Sequence, residues 1–468
     1  MNPAPLVQIR EALSNAPLQQ AIHAATGRLM EKRRGAIAGT NRGEFEQWRE
    51  QANAVKRHTI ENLDHYLEQL ESNLTRRGGV VVYARDEGEA AGFLLKLARE
   101  KGARLVVKSK SMTTEEIDLR AHFEREGIEM VETDLGEYII QLAGQRPYHI
   151  VAPALNMTRY QVADLFQRKL GVAREEVIEK QTMIARAVLR QKFLGADIGM
   201  TGANFLIADS GAVVVVENEG NARLSSSAPR VQVVVAGIEK VIPRARDLPV
   251  FLKVLGRSAT GQPMTVYTSF LSGPRRVGEI DGPEEFYLVL LDNGRSRLLE
   301  DREKRQSLYC IRCGACLNHC PVYRKIGGHN YPWIYSGPIG AILTPQFHGV
   351  SDEPWLPFAS SLCGACAEVC PVKIDIPKIL LELRADVTES KRREHAGRLE
   401  HWSFRLWAWV MCRPRLYELM QLIAGAVLAH PIRVGPLCAW LSQRDLPPPP
   451  ARTFRREWRQ RLAARKEG

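Results

Sequence analysis

The sequence predicts a mixed-sheet α/β domain followed by a smaller, mainly α-helical domain organised around cysteines. Three observations predict it. Short apolar runs alternate with helical stretches between residues 80 and 291. Seven of nine cysteines fall in the 61 residues from Cys310 to Cys370, and helical patterning flanks both parts. At 468 residues the chain exceeds one ordinary core, so several domains are expected. The composition shifts divide it into 1–78 (helical), 79–295 (α/β), 296–390 (cysteine-bearing) and 391–468 (basic).

The first stretch is read from its period. Phe45, Trp48, Ala52 and Val55, then Ile60, Leu63, Leu67, Leu70 and Leu74, recur at three- to five-residue steps, the spacing of amphipathic helices. Gly78 and Gly79 supply a stop. Residues 80–84 then form a short apolar run suited to a buried strand. A helix is expected over 87–101, a strand over 104–108, a helix over 114–125 and a strand over 128–132. Such alternation argues for parallel strands. Residues 205–208 and 212–217 flank Asp209-Ser210-Gly211, a hairpin signal. Strands over 231–237 and 265–270 follow, and 286–291 is expected to close a mixed sheet. A charged linker helix is expected around Asn293, and a Gly/Pro/aromatic loop over 327–357.

The net charge of +12 suggests nucleic acid until it is located. Residues 391–468 hold 16 Lys/Arg against 6 Asp/Glu, so the rest of the chain is close to neutral. Five of eight tryptophans share that tail: Trp402, Trp407, Trp409, Trp440 and Trp458. Trp402, Leu406 and Trp409 recur at helical spacing near Arg398, Arg405 and Arg413. Such a helix suits an anionic membrane surface or a partner subunit, or packs on the protein's own core. No recognition motif accompanies the charge, which disfavours nucleic acid. Prolines 447–450 mark an extended spacer. No N-terminal stretch has the signal-peptide pattern, and the apolar segment 419–428 is too short to span a membrane and contains Gln421 and Gly425. A cytoplasmic location is expected, peripheral to a membrane if the tail docks there.

The cysteines carry the chemistry. The first motif is Cys310-x2-Cys313-x2-Cys316-x3-Cys320-Pro321 and the second is Cys363-x2-Cys366-x3-Cys370-Pro371. This tight spacing wraps one loop around a four-iron cubane, and the cysteine before proline serves the neighbouring cluster. Zinc prefers separated pairs. Gly314 and Gly364 are expected to leave room for close backbone approach. By the crossover rule cluster one takes Cys310, Cys313, Cys316 and Cys370, while cluster two takes Cys320, Cys363 and Cys366.

Two four-iron clusters need about eight thiolates, and the motifs supply seven. Aligned backward from its proline, the second motif has Ser360 where the first opens with Cys310. A three-iron cluster, a non-cysteine ligand and an open iron are the alternatives. Oxygen rarely replaces sulfur at soft sites, so Ser360 reads first as a loop serine. His319, His329 and His348 lie near the motifs and read as hydrogen-bonding loop residues; His348 is the nearest to a replacement ligand.

Beyond the cysteines, Thr201-Gly-Ala-Asn-Phe-Leu-Ile-Ala-Asp-Ser-Gly211 followed by Glu217-Asn-Glu-Gly-Asn221 resembles the LUD domain of lactate utilization proteins. So do Lys108-Ser-Lys-Ser111 and Glu132-Thr-Asp-Leu-Gly-Glu137. The order of this domain, two ferredoxin motifs and a basic tail is similar to the lactate utilization protein B family over nearly the whole chain. The resemblance implies an α/β domain related to the sugar-phosphate isomerase and CoA-transferase superfamily. It further implies an electron-carrying subunit of a multi-protein system that oxidises L-lactate to pyruvate and allows growth on lactate. The other lactate-utilization subunits would be its partners, with an electron acceptor outside the chain. The missing eighth thiolate is shared with the family.

Two groups in the α/β domain are weighed without a catalytic residue being assigned. Lys108, Ser109, Lys110 and Ser111 precede a helix and suit either an anion or a capped helix with solvated lysines. Glu217 and Glu219, beside Asn218 and Asn221, suit acid–base or acyl chemistry, or a polar turn that satisfies its own backbone. No GxGxxG follows the first strand, which favours a relay over a complete dehydrogenase. The rival is a self-contained enzyme binding an organic acid or acyl group beside an open iron of cluster two. A cluster-bearing DNA-binding sensor is the third reading.

Overall fold

The structure is a computed structural model that describes residues 5–41, 43–394, 398–429, 450 and 452–464. It divides into two units, Met1–Thr388 and Glu389–Gly468.

Among the described residues ten strands form two sheets: β1 Val80–Ala84, β2 Leu105–Lys108, β3 Glu129–Glu132, β4 Ile198–Thr201, β5 Phe205–Ile207, β6 Ala212–Glu217, β7 Val231–Gly237, β8 Val241–Ile242, β9 Tyr267–Leu271 and β10 Glu285–Leu291. The first sheet has the order β1-β10-β7-β4-β2-β3 and every pair is parallel. The second has the order β8-β5-β6-β9 and contains the antiparallel pairs. Both kinds of pairing are therefore present: the first sheet is wholly parallel, and the second joins the parallel pair β5–β8 to antiparallel β5–β6 and β6–β9. β10 does not close the sheet; it lies between β1 and β7. Its run Phe286, Leu288, Val289, Leu290 and Leu291 is buried, as a strand covered on both faces must be.

Crossover helices cover the parallel sheet. The helix Glu87–Glu100 starts where the Asp86 carboxylate accepts the Glu89 N–H at 2.9 Å, a cap worth about 1 kcal/mol. It buries Ala90, Ala91, Leu94, Leu97 and Ala98, so Leu94→Ala would cost about 2–5 kcal/mol. The helix expected over 114–125 is two helices, Met112–Glu116 and Leu119–Arg125. Asp118 breaks it with a left-handed φ of 42°. Period alone did not disclose β4, β8 or the helices Leu135–Ala143, Arg159–Leu170, Ile178–Gly195 and Leu248–Ala259.

The N-terminal helices Leu6–Ser14, Ala16–Ala38, Glu44–Glu61 and Leu63–Thr75 do not form a core of their own. Phe45, Ala52 and Ile60 share one apolar core with Phe205 and Phe251 and with Cys313, Tyr323, Ile342 and Leu380. The linker after β10 is two 3₁₀ segments, Ser296–Leu299 and Lys304–Tyr309, rather than a regular helix. The segment 327–357 is not a loop throughout: Gly337–His348 is a helix with Pro338 at its start, where the missing N–H costs nothing. Ile339, Ala341, Ile342 and Leu343 are buried there, so apolar burial stabilises a helix that also contains Pro345.

In the second unit, Arg398–Met411, Pro414–Ala429 and Phe454–Ala464 are helical. Trp402, Leu406 and Trp409 are exposed, and the Arg405 and Arg413 guanidinium groups lie over the Trp402 and Trp409 rings at 5.8 and 3.9 Å. Residues 447–449 of the expected spacer, and Trp440, lie outside the described residues. Among the described residues no helix is long and apolar enough to cross a membrane.

Candidate iron–sulfur site and sheet-edge cleft

The two cysteine motifs fold alike. Cys310 follows a 3₁₀ turn, Arg312 takes a φ of 59°, Gly314 a φ of 73°, and the helix Ala315–His319 carries Cys316 before extended Cys320. Fifty residues on, Leu362 takes a φ of 55°, Gly364 a φ of 83°, and the helix Ala365–Val369 carries Cys366 before extended Cys370. A Cβ at Gly314 would meet His149 and Val151 at 3.1 Å, whereas one at Gly364 would meet nothing within 4 Å. Gly364 thus meets no protein neighbour, and its left-handed backbone is what favours glycine there.

The two short helices pack on each other. Cys310, Cys313, Cys316 and Cys370 line one small cavity with Ile150, Ile339, Val372, Ile374 and Ile376. Burial pushes the Cys316 thiol well up, and Cys313, Cys310, Cys370 and Cys366 push it further. Burial likewise takes Cys370 to about 11. Cys320, Cys363 and Cys366 are mutual neighbours: burial raises Cys320 with Cys363 adding to it, and takes Cys366 to about 12 with Cys320 adding. Cys363 alone of the seven is exposed, and backbone N–H donation from Ala365 lowers it. Soft sulfurs crowded around an apolar cavity repel one another as bare thiolates, and iron at their centre would relieve that repulsion, so the donors fit a cluster. Backbone N–H groups of Arg312, Tyr323 and Ile374 each reach a sulfur, those of Cys310, Cys320 and Cys370, at 3.4 Å.

The N-terminal helices hold the second motif. Arg49 donates to the carbonyls of Cys370 at 2.9 Å, Glu368 at 2.7 Å and Ala367 at 3.3 Å. Arg33 donates to Val369 and Asn53 to Val372. His319 Nδ1 meets the Ala315 carbonyl, His329 Nε2 the Arg146 carbonyl at 2.7 Å, and His348 packs on Trp333. Ser360 Oγ accepts the Leu362 N–H at 3.1 Å.

A buried charge network joins this region to the parallel sheet. Arg295, fully buried, donates to both Glu116 oxygens at 2.8 Å and to Glu239 at 2.6 Å. Tyr335 donates to Glu116 at 2.7 Å, and Arg312 reaches Glu239 at 3.4 Å. Burial raises the Glu239 carboxyl, but Arg295 and Arg312 outweigh it and leave it at about 2. Lys56 donates to the Glu239 carbonyl, and burial lowers its ammonium to about 7.

All six parallel strands end at one edge, the edge at which open α/β sheets hold their ligands. A cavity of about 480 Å³ opens there, walled by Lys108, Glu115, Glu132, Glu137, Arg120 and, from between the motifs, Trp333 and Ile334. Lys108 is not the solvated lysine that one reading of its loop suggested. It is 1% exposed and its ammonium lies 2.9 Å from Glu132 and 3.3 Å from Glu115. Ser111 caps the five-residue helix that follows. One oxygen from each of Glu115, Glu132 and Glu137 lies within 4.8 Å of the others. Burial raises Glu132 to about 7 although Lys108 opposes it, and raises Glu137 well above the usual range. A lysine beside carboxyls that hold protons near neutrality is equipped for proton transfer. Lys108, Glu115, Glu132 and Glu137 come from four separate elements; the stretches 108–111 and 132–137 stood out in the sequence, whereas Glu115 did not. Glu217 accepts the Ala222 and Arg223 N–H groups at 2.7 and 2.9 Å, Asn218 accepts that of Val266, and Glu219 that of Leu135. Asn221 donates to Thr133. That turn chiefly satisfies its own neighbourhood, and burial raises Glu219 to about 7.

Comparison with known proteins matches three family profiles along the chain. The LUD domain profile matches residues 67–291, a 4Fe-4S dicluster domain profile matches 306–374, and the profile described as lactate utilisation protein B, C-terminal, matches 384–463. The dicluster match identifies the cysteine region as one that carries iron–sulfur clusters. Proteins named lactate utilization protein B are similar along almost their whole length. The one from Bacillus licheniformis is 44% identical, covering 96% of this chain and 95% of that protein. The one from Bacillus subtilis is 43% identical with the same coverage. A crystal structure of a DUF162 family protein from Deinococcus radiodurans matches at 13% identity and a TM-score of 0.28, covering 49% of this chain and 98% of that one.

Proposed function

This chain belongs to the lactate utilization protein B family, and from that premise we propose that it is the iron–sulfur electron-transfer subunit of a system oxidising L-lactate to pyruvate. The observation that carries the reading is the grouping of seven cysteines into two adjoining sets. Cys310, Cys313, Cys316 and Cys370 hold cluster one; Cys320, Cys363 and Cys366 hold cluster two. When bound, such clusters supply one-electron transfer at a potential set by burial and by hydrogen bonds to sulfur.

The chain's own residues supply the rest. Arg49 and Arg33 fix the second motif against the first, and the surrounding apolar core excludes water from set one. Exposed Cys363 puts set two at the surface, where electrons pass to or from a partner. The other lactate-utilization subunits are those partners. The Trp/Arg helix Arg398–Met411 suits an anionic membrane face or a partner subunit.

A second reading is favoured by the sheet-edge cleft: an enzyme that works an organic acid with Lys108 and Glu132. Anaerobic co-purification separates the two. The relay reading expects lactate-to-dye electron transfer from the chain with its partners and none from the chain alone. Lactate oxidation by the isolated chain, lost in E132Q, would overturn the relay.

A further inference from the structure

Cluster two has three cysteines where cluster one has four, and the fold retains the place of the fourth. Counted back from Pro321 and Pro371, Cys310 corresponds to Ser360, Cys313 to Cys363, Cys316 to Cys366 and Cys320 to Cys370. The backbone follows the same correspondence. Arg312 and Leu362, two residues after the opening position, both take the left-handed conformation, with φ of 59° and 55°. Neither is glycine, so each loop holds a conformation costly for its side chain. The reason is visible in the hydrogen bond it makes. The Arg312 N–H points at Cys310 Sγ across 3.4 Å, and the Leu362 N–H points at Ser360 Oγ across 3.1 Å. A loop that had lost its ligand would have no need to keep the same strained residue and the same donor.

We propose that Ser360 Oγ is the fourth protein ligand of cluster two, binding as an alkoxide in the position that Cys310 Sγ holds in cluster one. The proposal rests on the assignment of Cys320, Cys363 and Cys366 to that cluster. On binding, the O–H bond breaks, the proton leaves to solvent and an Fe–O bond forms; no electron is transferred. The Leu362 N–H stabilises the resulting charge on oxygen, as charge-assisted donors do. Arg384 steadies the loop from outside by donating to the Ser360 carbonyl at 3.1 Å and the Pro357 carbonyl at 2.9 Å. Oxygen is the poorer ligand for iron in a sulfide cluster. Ser360 is half-buried and precedes exposed Cys363 by three residues, so on this assignment cluster two has one hard, solvent-near corner and cluster one has none.

The test uses the full chain purified anaerobically with ⁵⁷Fe, as wild type, Ser360→Cys and Ser360→Ala. Mössbauer spectra of wild type are expected to show one distinct iron among the irons of cluster two. S360C makes that iron like its neighbours. In S360A the corner iron is lost to mild oxidation about tenfold faster or more, leaving a three-iron signal. Two intact clusters with identical spectra and identical iron loss in wild type and S360A would overturn the proposal and leave Ser360 a turn residue. Wild-type protein holding a single cluster would instead overturn the two-cluster assignment on which it rests.

Discussion

The Leu362 N–H meets Ser360 Oγ at 3.1 Å just as the Arg312 N–H meets Cys310 Sγ at 3.4 Å. This pair of contacts relates the two halves of the cysteine region more closely than the cysteines alone. It also shows the repeat to be one of backbone conformation, carried by Arg312, Gly314, Leu362 and Gly364.

Arg49 links the N-terminal helices to the second motif through three carbonyl acceptors. Arg49→Met keeps the aliphatic stem and removes the donors. The expected outcome is a loss of about 1–3 kcal/mol in stability, the range for charge-assisted hydrogen bonds, together with reduced iron and sulfide content. Anaerobic urea unfolding and metal analysis of the variant measure both.

Arg295→Met leaves Glu116 buried without its cation and Glu239 with Arg312 alone at 3.4 Å. Removing one partner of a buried ion network costs about 3–5 kcal/mol. Arg295→Lys should recover only part of that, because one ammonium cannot serve both carboxylates with the planar fork of a guanidinium. Denaturant midpoints of the two variants order them.

Much of this was legible from residues close together in sequence. The cysteine spacing, the strand at Val231–Gly237 and the hairpin at Asp209-Ser210-Gly211 are local patterns, and each is where the sequence placed it. Lys108 was misread because its loop position indicates solvent, while its burial depends on Glu115 and on Glu132 from the next strand. The helix Gly337–His348 was hidden by its glycines and prolines, whose local preference yields to apolar burial. Arg49 gave no signal at all, since its acceptors lie more than 300 residues away.

Glu132 gives the cleft a pH dependence. Its carboxyl is raised by burial from 4.5 to about 7 in the folded chain. The folded state therefore keeps a proton that the unfolded chain has released. The stability this group contributes is complete below about pH 4.5 and is lost as pH rises through about 7. Glu132→Gln removes that titration. Between about pH 5 and about pH 7 the wild type should lose stability relative to the variant by on the order of 1–3 kcal/mol. Parallel slopes in urea titrations across that range would contradict the burial of this carboxyl.

The most direct test of the account is the metal content of the full chain purified without oxygen. Two clusters predict about seven or eight irons per chain with matching labile sulfide, and spin-coupled paramagnetic signals on reduction, because the two cysteine sets adjoin. One zinc per site with no labile sulfide would contradict it.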